Sequence, residues 1–186
     1  ESALEKSLEI ENQNLLVNKN QIALELSEVQ PMIDESRSQI QSVSRPTLDE
    51  LRGYKVPPEC VIDIFTAIMK LMGEEDTSWT SMKKFLGRRM VLDQIAELDP
   101  RNVKPIILDE IEKLVQYKKN SFDMDKVSKF SLAAVPISQF VKAIIKYVRI
   151  VQNISPLETE LKKITNKFEK CKKNLGDTRE SLKKQR

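Results

Sequence analysis

The side chains in this sequence with chemistry to offer are mostly cations. Arg45, Arg52 and Lys55 share one short segment, Lys83, Lys84, Arg88 and Arg89 crowd a second, and Lys126 and Lys129 precede a third. Acids gather elsewhere, at 74–76, 93–99 and 109–112. From 44 to 139, fifteen Lys or Arg face fifteen Asp or Glu, so this stretch is neutral in sum but segregated in pattern. Charge runs are usually solvated helix faces. Spread over several helices of one small domain, they suit docking onto an acidic surface by steering and complementarity.

Other chemistry is poorly provided. The 186 residues include no histidine, and Cys60 and Cys171 stand far apart with no CxxC. A disulfide framework or a zinc site is therefore not expected, and a reducing, intracellular setting is. The usual nucleophile–base pairs and a phosphate-binding glycine loop are missing as well. No catalytic residue, metal ligand or cofactor is assigned, and the chain reads as a non-enzyme. The net charge of +3 is too small to imply nucleic acid. No apolar run approaches the roughly 20 residues of a membrane span, and no signal peptide is present. Neither nucleic acid nor membrane is expected as a partner.

The elements that must carry the cations are helices. Only four glycines occur, Lys, Glu, Leu, Ile and Ser are abundant, and no long stretch alternates with period two. From Phe140 to Leu182 apolar residues recur in three-four alternation, through Ala143, Tyr147, Ile150, Ile154, Leu157, Leu161, Ile164, Phe168, Cys171 and Leu175. Such a narrow seam needs a partner helix. The first 43 residues supply one, with Leu8, Leu15, Ile22 and Val29 seven apart and Leu26, Ile33 and Ile40 likewise. Glu5, Asn12 and Lys19 occupy seam positions there and weaken it. Pro31 and Pro156 interrupt the two arms and come close to level if the chain folds back, as paired kinks or as breaks that open new helices.

The expected fold is all-α: an antiparallel two-helix coiled-coil stalk capped by a small globular helical bundle. The first stalk helix covers 1–43, the head 44–139 and the second stalk helix 140–186. Both ends fall in mid-heptad, as in a piece of a longer chain. One stalk alignment sets Leu26 opposite Leu157, another sets it opposite Leu161, and apolar matching does not choose between them. Within the head, helices are predicted at 47–55, from Pro58 to Met72, from Trp79, at 91–98 and at 109–117, with an exposed loop at 118–123. A last helix from about Ser131 runs into the second arm. Trp79 is expected as a core anchor of its Lys-rich helix.

Several stretches, in this order and spacing, resemble the stalk and microtubule-binding domain of dynein heavy chains. They are Leu51-Arg52-Gly53-Tyr54-Lys55-Val56-Pro57-Pro58, Leu71-Met72-Gly73 with Ser78-Trp79, Ser131-Leu132-Ala133-Ala134-Val135-Pro136 with Phe140, and Ile154-Ser155-Pro156-Leu157-Glu158. Asp76 to Lys83 is most similar to the cytoplasmic dynein of intraflagellar transport. The resemblance implies a head that grips tubulin and stalk helices that slide against each other, joined to the rest of a motor whose nucleotide sites lie outside this chain. It implies a cytoplasmic, cytoskeletal setting in a cilium or flagellum. By position, Arg45, Arg52, Lys55, Lys83 and Lys129 become microtubule-binding candidates, with Lys84, Arg88 and Lys126 added from charge, and Pro31 and Pro156 become stalk register or kink positions. Ser44-Arg45-Pro46 departs from the adjacent lysines common in the cargo-carrying form. The competing reading is a structural coiled-coil tether with a helical protein-interaction head. It leaves the basic head helices and the paired prolines unexplained.

Overall fold

A computed structural model describes residues 3–184, apart from the side chains at 179, 183 and 184. Among the described residues there are eight α-helices and no strand: α1 (Ala3–Gln41), α2 (Arg45–Arg52), α3 (Glu59–Leu71), α4 (Trp79–Leu86), α5 (Val91–Ala96), α6 (Pro105–Tyr117), α7 (Met124–Val127) and α8 (Ala134–Lys184). Two 3-10 turns, Pro100–Asn102 and Lys119–Phe122, complete the set. The chain divides into two compact units, one of residues 1–27 with 150–186 and one of residues 28–149.

The first unit is a two-helix antiparallel coil. Leu8 and Leu15 of α1 are buried with Ile164 of α8, and Leu157, Leu161 and Cys171 pack against them. The polar seam positions Glu5, Asn12 and Lys19 are half-buried, as heptad spacing requires. Lys19 Nζ lies 3.9 Å from a Glu158 carboxylate oxygen. Both expected alignments would instead place Lys19 near Ile164 or Phe168. The observed register is thus displaced from them, because a seam repeating every seven residues still matches apolar to apolar after a slide of about half a heptad.

Helix α1 runs on through Pro31 and α8 through Pro156. Pro31 has no N–H to donate to the Ser27 carbonyl, and the border between the two units falls directly after Ser27.

The second unit is a bundle around α3. Pro58 precedes that helix, and the chain leaves it through Gly73 at φ 85°, a left-handed conformation that glycine adopts without penalty. Val61, Ile64, Phe65, Ala67, Ile68 and Met69 of α3 are almost wholly buried. They pack against α4, α6 and the Lys119–Phe122 turn. Val29, Ile33 and Ile40 of α1 and Ala134, Ile137, Phe140, Val141 and Ile144 of α8 are buried too. Helix α8 starts at Ala134, whose amide donates to the buried Ser131 hydroxyl at 3.2 Å, so Pro136 falls in the first turn, where its missing N–H costs nothing.

Residues 118–123 do not form the exposed loop expected of them. Phe122 is buried, and the Ser121 hydroxyl donates to the Asp63 carboxylate of α3 at 2.6 Å, with both residues buried. The polar letters hide an anchor, since Ser121 satisfies a carboxylate that would otherwise be buried with fewer donors. Ser121→Ala should destabilise the second unit by about 1–3 kcal/mol, the cost of leaving a buried acceptor short of a partner. An unchanged denaturation midpoint would show that Asp63 is solvated.

Candidate functional site

Helix α2 buries Leu48 and Leu51 and so turns Arg45, Asp49 and Arg52 outward. Asp49 Oδ1 is 3.6 Å from Arg45 Nε and 3.1 Å from Arg52 Nη1. The Arg45 guanidinium also reaches α4, donating to the Arg88 carbonyl at 3.0 Å and the Gly87 carbonyl at 3.1 Å. Arg52 lies across the same place, and its Nε is buried with no hydrogen-bond partner among the described residues. Of these two expected binding cations, Arg45 bridges from α2 to the carbonyls that follow α4, and Arg52 packs beside Gly87.

Helix α4 is started by side chains. The Ser78 hydroxyl accepts the Ser81 amide, while Asp76 accepts the Ser78 amide at 2.9 Å and the Ser81 hydroxyl at 2.6 Å. The Ser81 hydroxyl, followed by the Ser78 amide, holds the Asp76 carboxyl below its ordinary range. Met82, Phe85 and Leu86 face the core. Trp79 does not join them. It is half-buried, and its indole Nε1 donates to the Tyr54 carbonyl at 3.2 Å. Lys83, one turn on, sits with Nζ 5.6 Å from the centre of the indole.

Tyr54 continues the connection. Its hydroxyl makes a long contact, 3.5 Å, with the Phe130 carbonyl in the turn between α7 and α8. One chain of contacts, Trp79 to Tyr54 to Phe130, ties together the three segments that carry the candidate cations. Beside it runs an open groove of about 730 Å³, lined by Thr47, Leu51, Tyr54, Lys129, Phe130 and Leu132 among others. Val56, Phe130 and Leu132 are 85%, 53% and 74% exposed. Apolar residues this open, beside charged ones, mark a contact surface more often than isolated exposed leucines do.

The cations divide into two groups around this groove. Lys55, Lys84 and Lys129 are exposed and form no ion pair among the described residues. Lys83 is half-buried over Trp79. The others have internal partners. Arg88 pairs with Glu74 at 2.6 Å and lies 5.1 Å from the Phe85 ring, and Lys126 donates to the Asn120 side chain at 2.5 Å. Tyr54, Phe130 and Leu132 escape a search by charge. Their signal in the sequence is weak, an aromatic and a leucine spaced among serines just ahead of a helix. Arg37 was equally unannounced. It donates to the Leu98 carbonyl at 2.9 Å and stands 5.8 Å from the Phe140 ring.

The groove thus mixes polar and apolar side chains, and the bundle that carries it is joined in sequence to a two-helix coil. Residues 2–184 match the family described as the microtubule-binding stalk of dynein motor. Cytoplasmic dynein 2 heavy chain 1 of Chlamydomonas reinhardtii is 32% identical over 179 residues, covering 96% of this chain and 4% of that protein. The Homo sapiens protein of the same name is 40% identical over 136 residues, covering 73% and 3%. A solved microtubule-binding domain of dynein-c superposes with a TM-score of 0.61 at 22% identity, covering 71% of this chain and 92% of that one, which establishes the likeness of fold. The chain belongs to the family of dynein microtubule-binding stalks. It spans about 4% of the length of the curated relatives it matches.

The half-burial of Trp79 revises the cost of removing it. A fully buried Trp would lose about 3–5 kcal/mol on truncation to Ala. Here Trp79→Ala should cost about 2 kcal/mol, half an aromatic side chain's burial plus one hydrogen bond. Trp79→Phe should recover about half of that. Chemical denaturation of the three proteins measures both, and a full-sized loss in the Ala variant would put Trp79 back in the core.

Proposed function

We propose that this chain is the tubulin-gripping tip and stalk of a dynein motor of the intraflagellar-transport type, at work on ciliary or flagellar microtubules. The observation that carries the reading is the groove beside Tyr54, with Lys129 on its wall, Lys55 next in chain to Tyr54, and Lys84 of α4 exposed and in no ion pair among the described residues. Cations without internal partners are the ones available to an acidic surface. Lys55, Lys84 and Lys129 are read as direct contacts, with Lys83 held over Trp79 beside them. Arg45, Arg52, Arg88 and Lys126 support this face from within. Phe130 and Leu132 supply apolar contact at its centre.

In the same reading, residues 1–43 and 140–186 form the stalk and 44–139 the gripping head. The two stalk helices are each other's coiled-coil partner, and their register sets the affinity of the head. Pro31 and Pro156 mark where the backbone hydrogen-bond ladder is weakest and a change of register meets least resistance. The relatives named as heavy chains of cytoplasmic dynein 2 support a place within that motor, with its ATPase sites in other parts of it.

Binding to microtubules should weaken steadily as salt is raised, because exposed charges are screened over a Debye length of about 8 Å at physiological ionic strength. Lys129→Ala should weaken it about fivefold at low salt and much less at high salt. Cosedimentation across a salt series tests this, and salt-indifferent binding would remove the basic face from the account.

Register is tested by locking it. With Cys60 and Cys171 first replaced by Ser, one form joins cysteines at 19 and 158 through a short thiol crosslinker, and the other joins cysteines at 26 and 157. The expected result is an affinity difference of at least about tenfold, equivalent to roughly 1.4 kcal/mol of coupling. Equal affinities would leave the stalk a spacer, and the tether reading would stand.

A further inference from the structure

The neighbourhood of Gly87 holds an arrangement that a simple basic patch does not need. Helix α4 ends at Leu86, and Gly87 and Arg88 present carbonyls at its C-terminal end. Such carbonyls carry the negative end of the helix dipole and favour a cation. Arg45 meets two of them with the two arms of one guanidinium. Arg52 closes over the same spot. A Cβ built on Gly87 would lie 3.1 Å from Arg52 Nη2 and 3.3 Å from its Cζ, so a larger residue there would have to push the guanidinium aside by a few tenths of an ångström. Asp49 sits between the two arginines, accepting a hydrogen bond from Arg52 Nη1 at 3.1 Å and lying 3.6 Å from Arg45 Nε as an ion-pair partner. Gly87 has φ −76°, an ordinary helical value, so its role here is steric and not conformational.

We propose that Arg45 is a positioning residue and not a tubulin contact. With Arg52 it clamps the C-terminal turn of α4 onto α2, and thereby fixes where Lys84 stands relative to Lys55. The inference rests on the reading of Lys84 and Lys55 as contacts. Arginine suits the task because its planar fork can reach two neighbouring carbonyls at once, whereas a lysine is a single point of charge. This also accounts for Arg45-Pro46 at the start of α2. A cation whose donors are taken up by α4 carbonyls has few to offer a partner, and the charge left for docking lies on the lysines.

The test uses the full chain and six variants: Arg45→Lys, Arg45→Ala, Lys84→Ala, Lys129→Ala and the doubles Arg45→Ala/Lys84→Ala and Arg45→Ala/Lys129→Ala. Amide hydrogen exchange is measured without microtubules, and affinity is measured by cosedimentation at fixed salt. Arg45→Ala and Arg45→Lys should both speed exchange at the Gly87 and Arg88 amides and both weaken binding about fivefold, with no rescue by the retained charge. Arg45→Ala and Lys84→Ala should be strongly non-additive, because one acts through the other, while Arg45→Ala and Lys129→Ala should add. Binding restored by Arg45→Lys would make Arg45 a charge contact and overturn the proposal, as would unchanged exchange at the end of α4. If Lys84→Ala alone binds like the parent, the reading of Lys84 as a contact fails. The exchange rates and the Arg45→Lys variant then still decide the clamp.

Discussion

The segments that carry the candidate lysines are joined through a hydrogen bond made by an aromatic side chain. Trp79 Nε1 donates to the Tyr54 carbonyl, and the Tyr54 hydroxyl reaches toward the Phe130 carbonyl. These contacts join segments 25 and 76 residues apart in sequence, and each of those segments carries at least one of the candidate lysines. Lysine ammonium groups repel one another and are strongly hydrated, so nothing in their own chemistry gathers them. Neutral groups must do it. Trp79 suits that work because an indole can rest half on the core and still offer a donor at its edge.

The candidate arginines have partners within the chain. Arg45, Arg52 and Arg88 are spent internally, on helix-end carbonyls, on Asp49 and on Glu74. At the other side of the bundle Lys118 pairs with Glu59, and Arg149 with Asp109 and Glu112, and in each case the carboxylates raise the pKa of the cation. Exposed pairs of this kind contribute about 0–1 kcal/mol each to stability. Their larger effect is on the distribution of field over the surface, which governs how a charged partner is steered.

Much of this was legible in the sequence, for reasons that separate the successes from the misses. The heptad seams and the largely apolar α3 are set by local periodicity, which a sequence displays directly. The stalk register was not legible, since a repeating seam matches itself after a slide. Ser121 and Phe122 were read as exposed because their burial comes from Asp63, 58 residues away, which no local pattern announces. Trp79 was placed too deep because helical periodicity finds the apolar side of a helix but not how far each residue on it sinks. The bonds of Arg45 are not announced by the sequence, because the Gly87 and Arg88 carbonyls lie 42 and 43 residues further along the chain.

The arginines and lysines of this chain look alike in a count of charge and differ in what they can be used for. A guanidinium is weakly hydrated, planar and rich in donors, so it can be drawn into a packed contact such as the α2–α4 junction, where Arg52 Nε is buried without a partner. An ammonium on a flexible stem resists that fate and stays in water. Among the candidate cations Arg45 bonds the Gly87 and Arg88 carbonyls, Arg52 pairs with Asp49 and Arg88 with Glu74, while Lys55, Lys84 and Lys129 are exposed and in no ion pair among the described residues. Formal charge counts all of them equally, although a guanidinium held by carbonyls or a carboxylate and a solvated ammonium have different things to offer a partner.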